Sequence, residues 1–242
     1  MKYSIVIPTL NEEKLLPDIL NQLKENKITY KYDAEIIISD GGSTDRTIEI
    51  AQLFTNKIIR CEEGTQQNIA AGRNDGAKNA SGEVLIFLGA DVKIPDPDML
   101  FSFIENKFCK KKFAAMTCNV RIAPEEEIFS DRFFHSVLNT YFYLLNVFGV
   151  GMGRGEIQIV KRNIFFEFNG YNEELAAGED FDLFRRIRKK YDILFERKLY
   201  IYESPRRYRK YGYLNVCKSW FTNAYFVIFK NKSLDREWEQ IR

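Results

Sequence analysis

Histidine is nearly absent: His135 is the one instance in 242 residues. A His-based zinc centre or a Ser-His-Asp triad therefore has almost no material to work with, and a lone histidine in an apolar segment is expected to be structural. The four cysteines, Cys61, Cys109, Cys118 and Cys217, are far apart and form no CxxC pair. They read as ordinary residues of a reducing compartment. No GxGxxG follows the first strand and no P-loop is present, so a dinucleotide fold or a Walker-type site has little support. The formal charge is only +2, and no nucleic-acid partner is expected. The chain enters a strand directly after Met1-Lys2, so no signal peptide is expected and the reading is cytoplasmic. No repeat or low-complexity segment is visible.

What is there is a full core. Hydrophobic residues make up 45% of the chain, enough to exclude wholesale disorder. Val84-Leu85-Ile86-Phe87-Leu88 is a run of five apolar residues, the pattern of a central strand buried on both faces. Shorter runs, Tyr3 to Ile7 and Ala34 to Ser39, predict strands ahead of it, with a third short strand at Lys57 to Arg60. Between them Leu15, Leu16, Ile19, Leu20 and Leu23 fall at helical spacing, with Asn11 as candidate N-cap. Ile48, Ala51 and Leu53 open another helix, with Ser43 or Thr44 as its cap. Gln66 to Ala80 reads as a helix rich in small residues. Strands alternating with helices through residue 92 predict a parallel sheet with right-handed crossovers. Beyond it come a helix from Asp98 to about Lys107, a strand over Phe113 to Ile122, and strands at Ile157 to Val160 and 193–202, the last a strand or hairpin.

The polar residues gather at strand ends. The first strand runs into Pro8-Thr9-Leu10-Asn11-Glu12, the second ends at Asp40, and the central one ends in Gly89-Ala90-Asp91. Open parallel sheets bind ligands outside the carboxyl ends of their strands, so three polar ends on one edge mark a site more strongly than any one alone. Carboxylates accept hydrogen bonds from ribose hydroxyls and base N–H groups. The plain alternative for Asp40 is an Asx-turn, and for Asp91 a solvated turn.

These residues carry a resemblance. Ser4 to Glu12, Asp40-Gly41-Gly42-Ser43-Thr44-Asp45, Gly72 to Gly76, Gly89-Ala90-Asp91 and Gly178-Glu179-Asp180 occur in order over about residues 3 to 210. The chain resembles family 2 glycosyltransferases of the GT-A fold. The resemblance implies an α/β fold, a Rossmann-like, mostly parallel central sheet flanked by helices, with a C-terminal acceptor-side region. It also implies transfer of a sugar from a nucleotide-diphosphate donor to a hydroxyl acceptor with inversion, using magnesium or manganese. Pro8, Thr9, Asn11 and Glu12 would flank the nucleotide, Asp40 and Gly41 would meet its base, and Arg73 would lie near it. Ala90 and Asp91 would face the donor, with Asp91 as metal ligand. Asp180 would be the catalytic base, its charged form favoured by the start of the following helix, and Glu179 an acceptor ligand. Gly89 stands where the family commonly has the first Asp of Asp-x-Asp, a pattern similar to a subgroup of small bacterial and archaeal members. Magnesium often takes only one or two carboxylates plus phosphate oxygens and water, so one missing acid does not remove metal dependence.

Arg185 to Lys210 holds eleven Lys/Arg against three Asp/Glu. Arg206 and Arg207 are candidates for the donor diphosphate, because a guanidinium fork matches phosphate oxygens; a solvated surface loop is the alternative. No Gln-x-x-Arg-Trp is present, which speaks against polymer synthesis. Residues 1–212 form the expected transferase domain, its nucleotide half about 1–92 and its acceptor half about 93–212, followed by an aromatic helix and tail over 213–242. Phe133 to Val150 is apolar but carries His135, Ser136, Asn139, Thr140 and Asn146, too polar for a spanning helix. With the aromatics at 220–229 and Lys218, Lys230 and Lys232 it suggests either core packing, a dimer interface or a peripheral membrane patch suited to a lipid-linked acceptor. The competing functions are a non-catalytic nucleotide-sugar binder, which needs no base, and a nucleotidyltransferase, which usually has a Gly-rich loop where Pro8-Thr9-Leu10-Asn11 stands.

Overall fold

A computed structural model describes residues 2–62 and 67–230, with side chains through Val227. The expected helix start at Gln66 and the residues Phe229, Lys230 and Lys232 of the suggested patch therefore lie outside what is described, Phe229 and Lys230 in their side chains. Seven strands form one sheet: β1 (Tyr3–Thr9), β2 (Ala34–Asp40), β3 (Ile58–Arg60), β4 (Val84–Leu88), β5 (Ala115–Ile122), β6 (Ile157–Lys161) and β7 (Ile193–Glu203). Their spatial order is β3-β2-β1-β4-β6-β5-β7. The pairs among β1 to β4 are parallel, as the alternation of strands and helices predicts. β6 runs antiparallel to both β4 and β5, and β5 pairs in parallel with β7. The sheet is therefore mixed, with one reversed strand, β6, between β4 and β5. The 193–202 segment is a single strand, with a register irregularity opposite Cys118/Asn119.

Helices cover both faces. Tyr3, Ile5 and Ile7 alternate with Val6 along β1, and Ile86 and Leu88 alternate with Leu85 and Phe87 along β4. The first set packs against Leu16, Ile19, Leu20 and Leu23 of α1 (Leu16–Glu25) and Phe101 of α5 (Pro97–Phe103). The second set packs against Ala70 and Ala77 of α4 (Ile69–Lys78), Phe165 of α7 (Arg162–Glu167) and Phe184 of α8 (Glu179–Arg188). The short α2 (Ile28–Lys31) and α3 (Thr47–Gln52) complete the first half. α4 lies so close to β1 that a Cβ on Gly76 would stand 2.3 Å from Val6 Cγ1. Asn68 caps α4 by accepting from the Ala71 N–H at 2.8 Å.

Two expected caps are not made. Asn11 has φ +54 and does not cap α1, whose N-cap is Leu15. Its Oδ1 instead accepts from the Thr44 N–H at 2.7 Å and the Asp45 N–H at 3.2 Å. Asn11 thus ties the loop after β1 to the loop after β2. At α3, neither Ser43 nor Thr44 caps; Asp45 accepts from the Thr47 N–H at 3.0 Å.

The long helix α6 (Phe129–Val147) buries polar residues alongside Leu138 and Phe142. Its polar residues Asp131, His135, Asn139 and Asn146 are buried, whereas Phe133, Val137, Leu144 and, just past its end, Phe148 are exposed. The buried amides bond backbone. Asn139 takes the Val120 N–H at 3.0 Å and gives to the Val120 carbonyl at 2.8 Å, and Asn146 does the same for Met152. Asp131 is held by Arg209 and the Tyr213 hydroxyl. This joins α6 to α9 (Arg206–Tyr211) and α10 (Tyr213–Lys230). Among the described residues, no helix is long and apolar enough to cross a membrane.

Candidate active site

The ends of β1 and β4, the start of β6, the N-terminus of α8 and the segment from β7 into α9 enclose one cavity of about 770 Å³, roofed by α6 and α10. It brings together Pro8, Thr9, Glu12, Arg73, Ala90, Asp91, Glu179, Asp180, Arg206 and Arg207 from the sequence-predicted set. Asn11, Asp40 and Gly41 are not among its lining residues. Asp40 is buried, and its oxygens accept from Thr9 Oγ1 at 3.0 Å, the Gly42 N–H at 3.1 Å and the Ser43 N–H at 2.8 Å. That is the Asx-turn arrangement, which shapes the loop beside Thr9.

Asp91 follows Gly89 and Ala90 as β4 ends. Its Oδ2 meets Arg206 Nη2 at 3.1 Å, and the same nitrogen meets Glu12 Oε1 at 3.2 Å. One cationic nitrogen thus joins carboxylates from β1's loop and β4's loop. A Cβ on Gly89 would stand 3.0 Å from Asp91 Oδ1, so a side chain at position 89 would crowd this carboxylate. The pair Asp91 and Glu12 suits a small divalent cation that completes its shell with phosphate oxygens and water. No group of three or more His, Cys, Asp or Glu able to hold a metal occurs among the described residues. A cation held here would compete with the Arg206 guanidinium, which bonds both carboxylates.

At the other side, Gly178 takes φ +83 as the N-cap of α8 and sets Glu179 and Asp180 in its first turn. Glu179 is buried and paired to Arg73 Nη1 at 2.6 Å. Arg73, itself buried, also donates from Nη2 to the Gly155 carbonyl at 2.7 Å and lies 5.2 Å over the Tyr171 ring. The geometry gives Arg73 and Glu179 to each other and leaves Asp180 facing the cavity. Burial, then the neighbouring Glu179 charge, pushes the Asp180 carboxyl up to about 7; Arg73 and the Phe181 N–H oppose this without cancelling it. The helix start does favour the charged form, through the Phe181 N–H, but desolvation outweighs it. Gly155 lies against this carboxylate: a Cβ there would stand 3.4 Å from Asp180 Oδ2, at ordinary contact distance.

Three charged lining residues escape sequence reasoning. Arg154 and Glu156 flank Gly155 just ahead of β6, and Glu203 closes β7. Arg154 Nε and Nη2 hold the two Glu156 oxygens at 3.1 and 3.2 Å, and Nη2 lies 3.5 Å from Glu203 Oε1. The available signal was a charged Arg-Gly-Glu directly before an apolar strand, where nothing local requires charge. His135 is buried as expected of a structural residue. Burial and the Arg154 charge push it down to about 4, so it is neutral near pH 7.

The sequence model of the family described as "Glycosyl transferase family 2" matches residues 4–163. A PGL/p-HBAD biosynthesis glycosyltransferase of Mycobacterium bovis is 36% identical over 101 residues, 40% of this chain and 38% of that protein. The chain thus matches well under half the length of that relative. An O-antigen chain rhamnosyltransferase of Salmonella typhimurium is 24% identical over 91% of this chain and 74% of its own length. Among solved structures, glucosyl-3-phosphoglycerate synthase from Mycobacterium tuberculosis, in complex with Mn2+, UDP and phosphoglyceric acid, superposes with a TM-score of 0.66 at 14% identity. That match covers 94% of this chain and 77% of the other.

Proposed function

The chain belongs to glycosyl transferase family 2, and from that premise we propose that it moves a sugar from a nucleotide-diphosphate sugar to an acceptor hydroxyl with inversion. The observation that carries the reading is the cavity itself. It sets a carboxyl raised to about 7, Asp180, in the same enclosure as the Asp91–Arg206–Glu12 group. A base must be substantially ionised at working pH yet still avid for a proton, and a carboxyl near 7 is about half ionised at pH 7.

In the reaction the acceptor oxygen attacks the anomeric carbon as the bond from that carbon to the diphosphate oxygen breaks. Asp180 takes the acceptor's hydroxyl proton, and the bonding pair leaves with the nucleoside diphosphate. Arg206 and Arg207 neutralise the charge that develops on the leaving group, since guanidinium forks match phosphate oxygens. Asp91, with Glu12, would hold a magnesium or manganese ion, which when bound supplies further charge neutralisation at the diphosphate. Pro8 and Thr9 border the nucleotide, Asn11, Asp40 and Gly41 shape the loop that receives its base, and Ala90 leaves space beside Asp91. Arg73 holds Glu179, and Glu179 sets the field around Asp180.

The reading extends to domains and acceptor. Residues 1–212 form the transferase unit, nucleotide half 1–92 and acceptor half 93–212, and the helix from residue 213 closes the acceptor side. The outward apolar stripe of α6, with Phe221 and Tyr225 of α10 exposed nearby, suits a lipid-linked acceptor met at the cytoplasmic face of a membrane. Release of nucleoside diphosphate from a panel of nucleotide sugars, with and without magnesium or manganese, tests the function. The expected result is turnover of at least one donor by the wild type and loss of it in Asp180→Asn. Donor binding without turnover in the wild type, with acceptors supplied, would leave a binding protein. Flotation with anionic liposomes tests the membrane contact, and protein that stays at the bottom ends it.

A further inference from the structure

We propose that Glu156 and Glu203, held by Arg154, form a recognition site for the hydroxyl groups of the transferred sugar, one that takes neutral sugar rings and rejects uronic acids. The proposal rests on the reading of the cavity as a donor site.

Placement is the first argument. The Glu156 carbonyl accepts the Gly89 N–H at 3.1 Å, which sets Glu156 beside the strand end that carries Asp91. Its neighbour Gly155 abuts Asp180. Glu203 lies three residues before Arg206, the partner of Asp91. The cluster is thus bracketed by the groups assigned to the diphosphate and by the group assigned to the acceptor proton. In an in-line displacement, what lies between those two is the sugar ring.

Chemistry is the second argument. Arg154 is 2% exposed, lines the cavity, and its Nη1 has no hydrogen-bond partner, whereas Nε and Nη2 are spent on Glu156. A buried N–H left unmatched is costly unless something arrives to accept it. Both glutamates show part of their side chains to the cavity, 18% for Glu156 and 12% for Glu203. The Tyr208 hydroxyl donates to Glu203 Oε1 at 2.9 Å. Two carboxyl groups in contact over one arginine share a proton. Burial followed by the Glu156 charge drives Glu203 up, while Arg154 holds Glu156 down at about 2 against its burial. The cluster therefore turns carboxyl oxygens of Glu156 and Glu203 to the cavity beside the unmatched Arg154 N–H. Alternating donors and acceptors complement sugar hydroxyls, each of which is both. A uronate carboxylate would meet Glu156 and Asp180 with the arginine charge already committed.

The test is titration calorimetry with paired ligands: UDP, GDP and dTDP against UDP-glucose, UDP-N-acetylglucosamine, UDP-glucuronate, GDP-mannose and dTDP-rhamnose. The quantity read is the gain in affinity that the sugar adds over its own nucleotide. Glu203→Gln, which keeps the shape and a hydrogen-bonding head group, should hold that gain within about twofold. Glu203→Ala should reduce it at least tenfold while leaving the bare nucleotide Kd unchanged, about what one lost hydrogen bond is worth. Wild-type protein should bind UDP-glucuronate at least tenfold more weakly than UDP-glucose if UDP is its nucleotide, a comparison independent of any variant's folding. Equal loss for nucleotide and conjugate in Glu203→Ala, an unchanged sugar gain, or glucuronate bound as tightly as glucose overturns the assignment and leaves the donor-site reading standing. Absence of all nucleotide binding overturns both.

Discussion

Asp180 titrates where an enzyme works, and that makes its role measurable. With the carboxyl near 7, the ionised fraction rises from about a tenth at pH 6 to about nine-tenths at pH 8, whereas a carboxylate at its ordinary value is ionised throughout. Initial transfer rates at saturating donor should therefore climb about tenfold over that interval. The inflection belongs to the cluster of Asp180 with Glu179 and Arg73 and not to one residue alone. Glu179→Gln removes the like charge that raises Asp180 and frees Arg73 to face it, so the inflection should move to lower pH. Asp180→Asn should lower the rate by about 10² to 10⁴ and flatten the profile. The folded-state value lies above the unfolded one, so ionising Asp180 costs stability as pH rises through about 7. The Tm of Asp180→Asn relative to wild type should accordingly improve from pH 5 to pH 8. A flat wild-type profile, or an Asn variant that keeps more than about a tenth of the rate with chemistry limiting, refutes the assignment of Asp180 as base.

Arg206→Ala should weaken nucleoside diphosphate binding more than about tenfold by calorimetry, since it removes a charged bond to phosphate; unchanged binding in both this variant and Arg207→Ala would remove the diphosphate assignment. Asp91→Asn should lower Mn2+ affinity, read by electron paramagnetic resonance in the presence of nucleoside diphosphate, because it takes away one of two available carboxylates. Gly76→Ala should cost about 1–3 kcal/mol in urea unfolding, as its Cβ would drive into Val6. Burial opposes the Glu35 charge, yet Lys57, Ser4 and Ser81 outweigh it and hold the carboxyl at about 2. That stability is present above the unfolded value of about 4.5 and is lost as pH falls toward 2, so Glu35→Gln should flatten the acid limb of Tm against pH.

The strands of the first half were legible because a strand buried on both faces needs consecutive apolar residues, and Val84 to Leu88 has them. Its parallel pairing with β1 followed from the intervening helices. Asp91 and the Glu179-Asp180 pair were legible as motifs because small residues and acids at element ends are local features. The reversed direction of β6 was not, since direction depends on how the chain returns from α6 and leaves no trace in apolar periodicity. Asn11 looked like a cap for the helix after it, but its partners lie 33 and 34 residues on. The polar face of α6 turned inward because Val120 and Met152 present backbone groups there that burial obliges to be bonded. Arg206 meets Asp91 across 115 residues, and Arg154 meets Glu203 across the sheet. Sequence by itself determined which residues could carry charge and which segments of the first half are strands and helices. Tertiary structure alone decided which charges share a cavity, and so which carboxyl is raised, because desolvation and Coulomb fields act through space between residues that the chain order keeps apart.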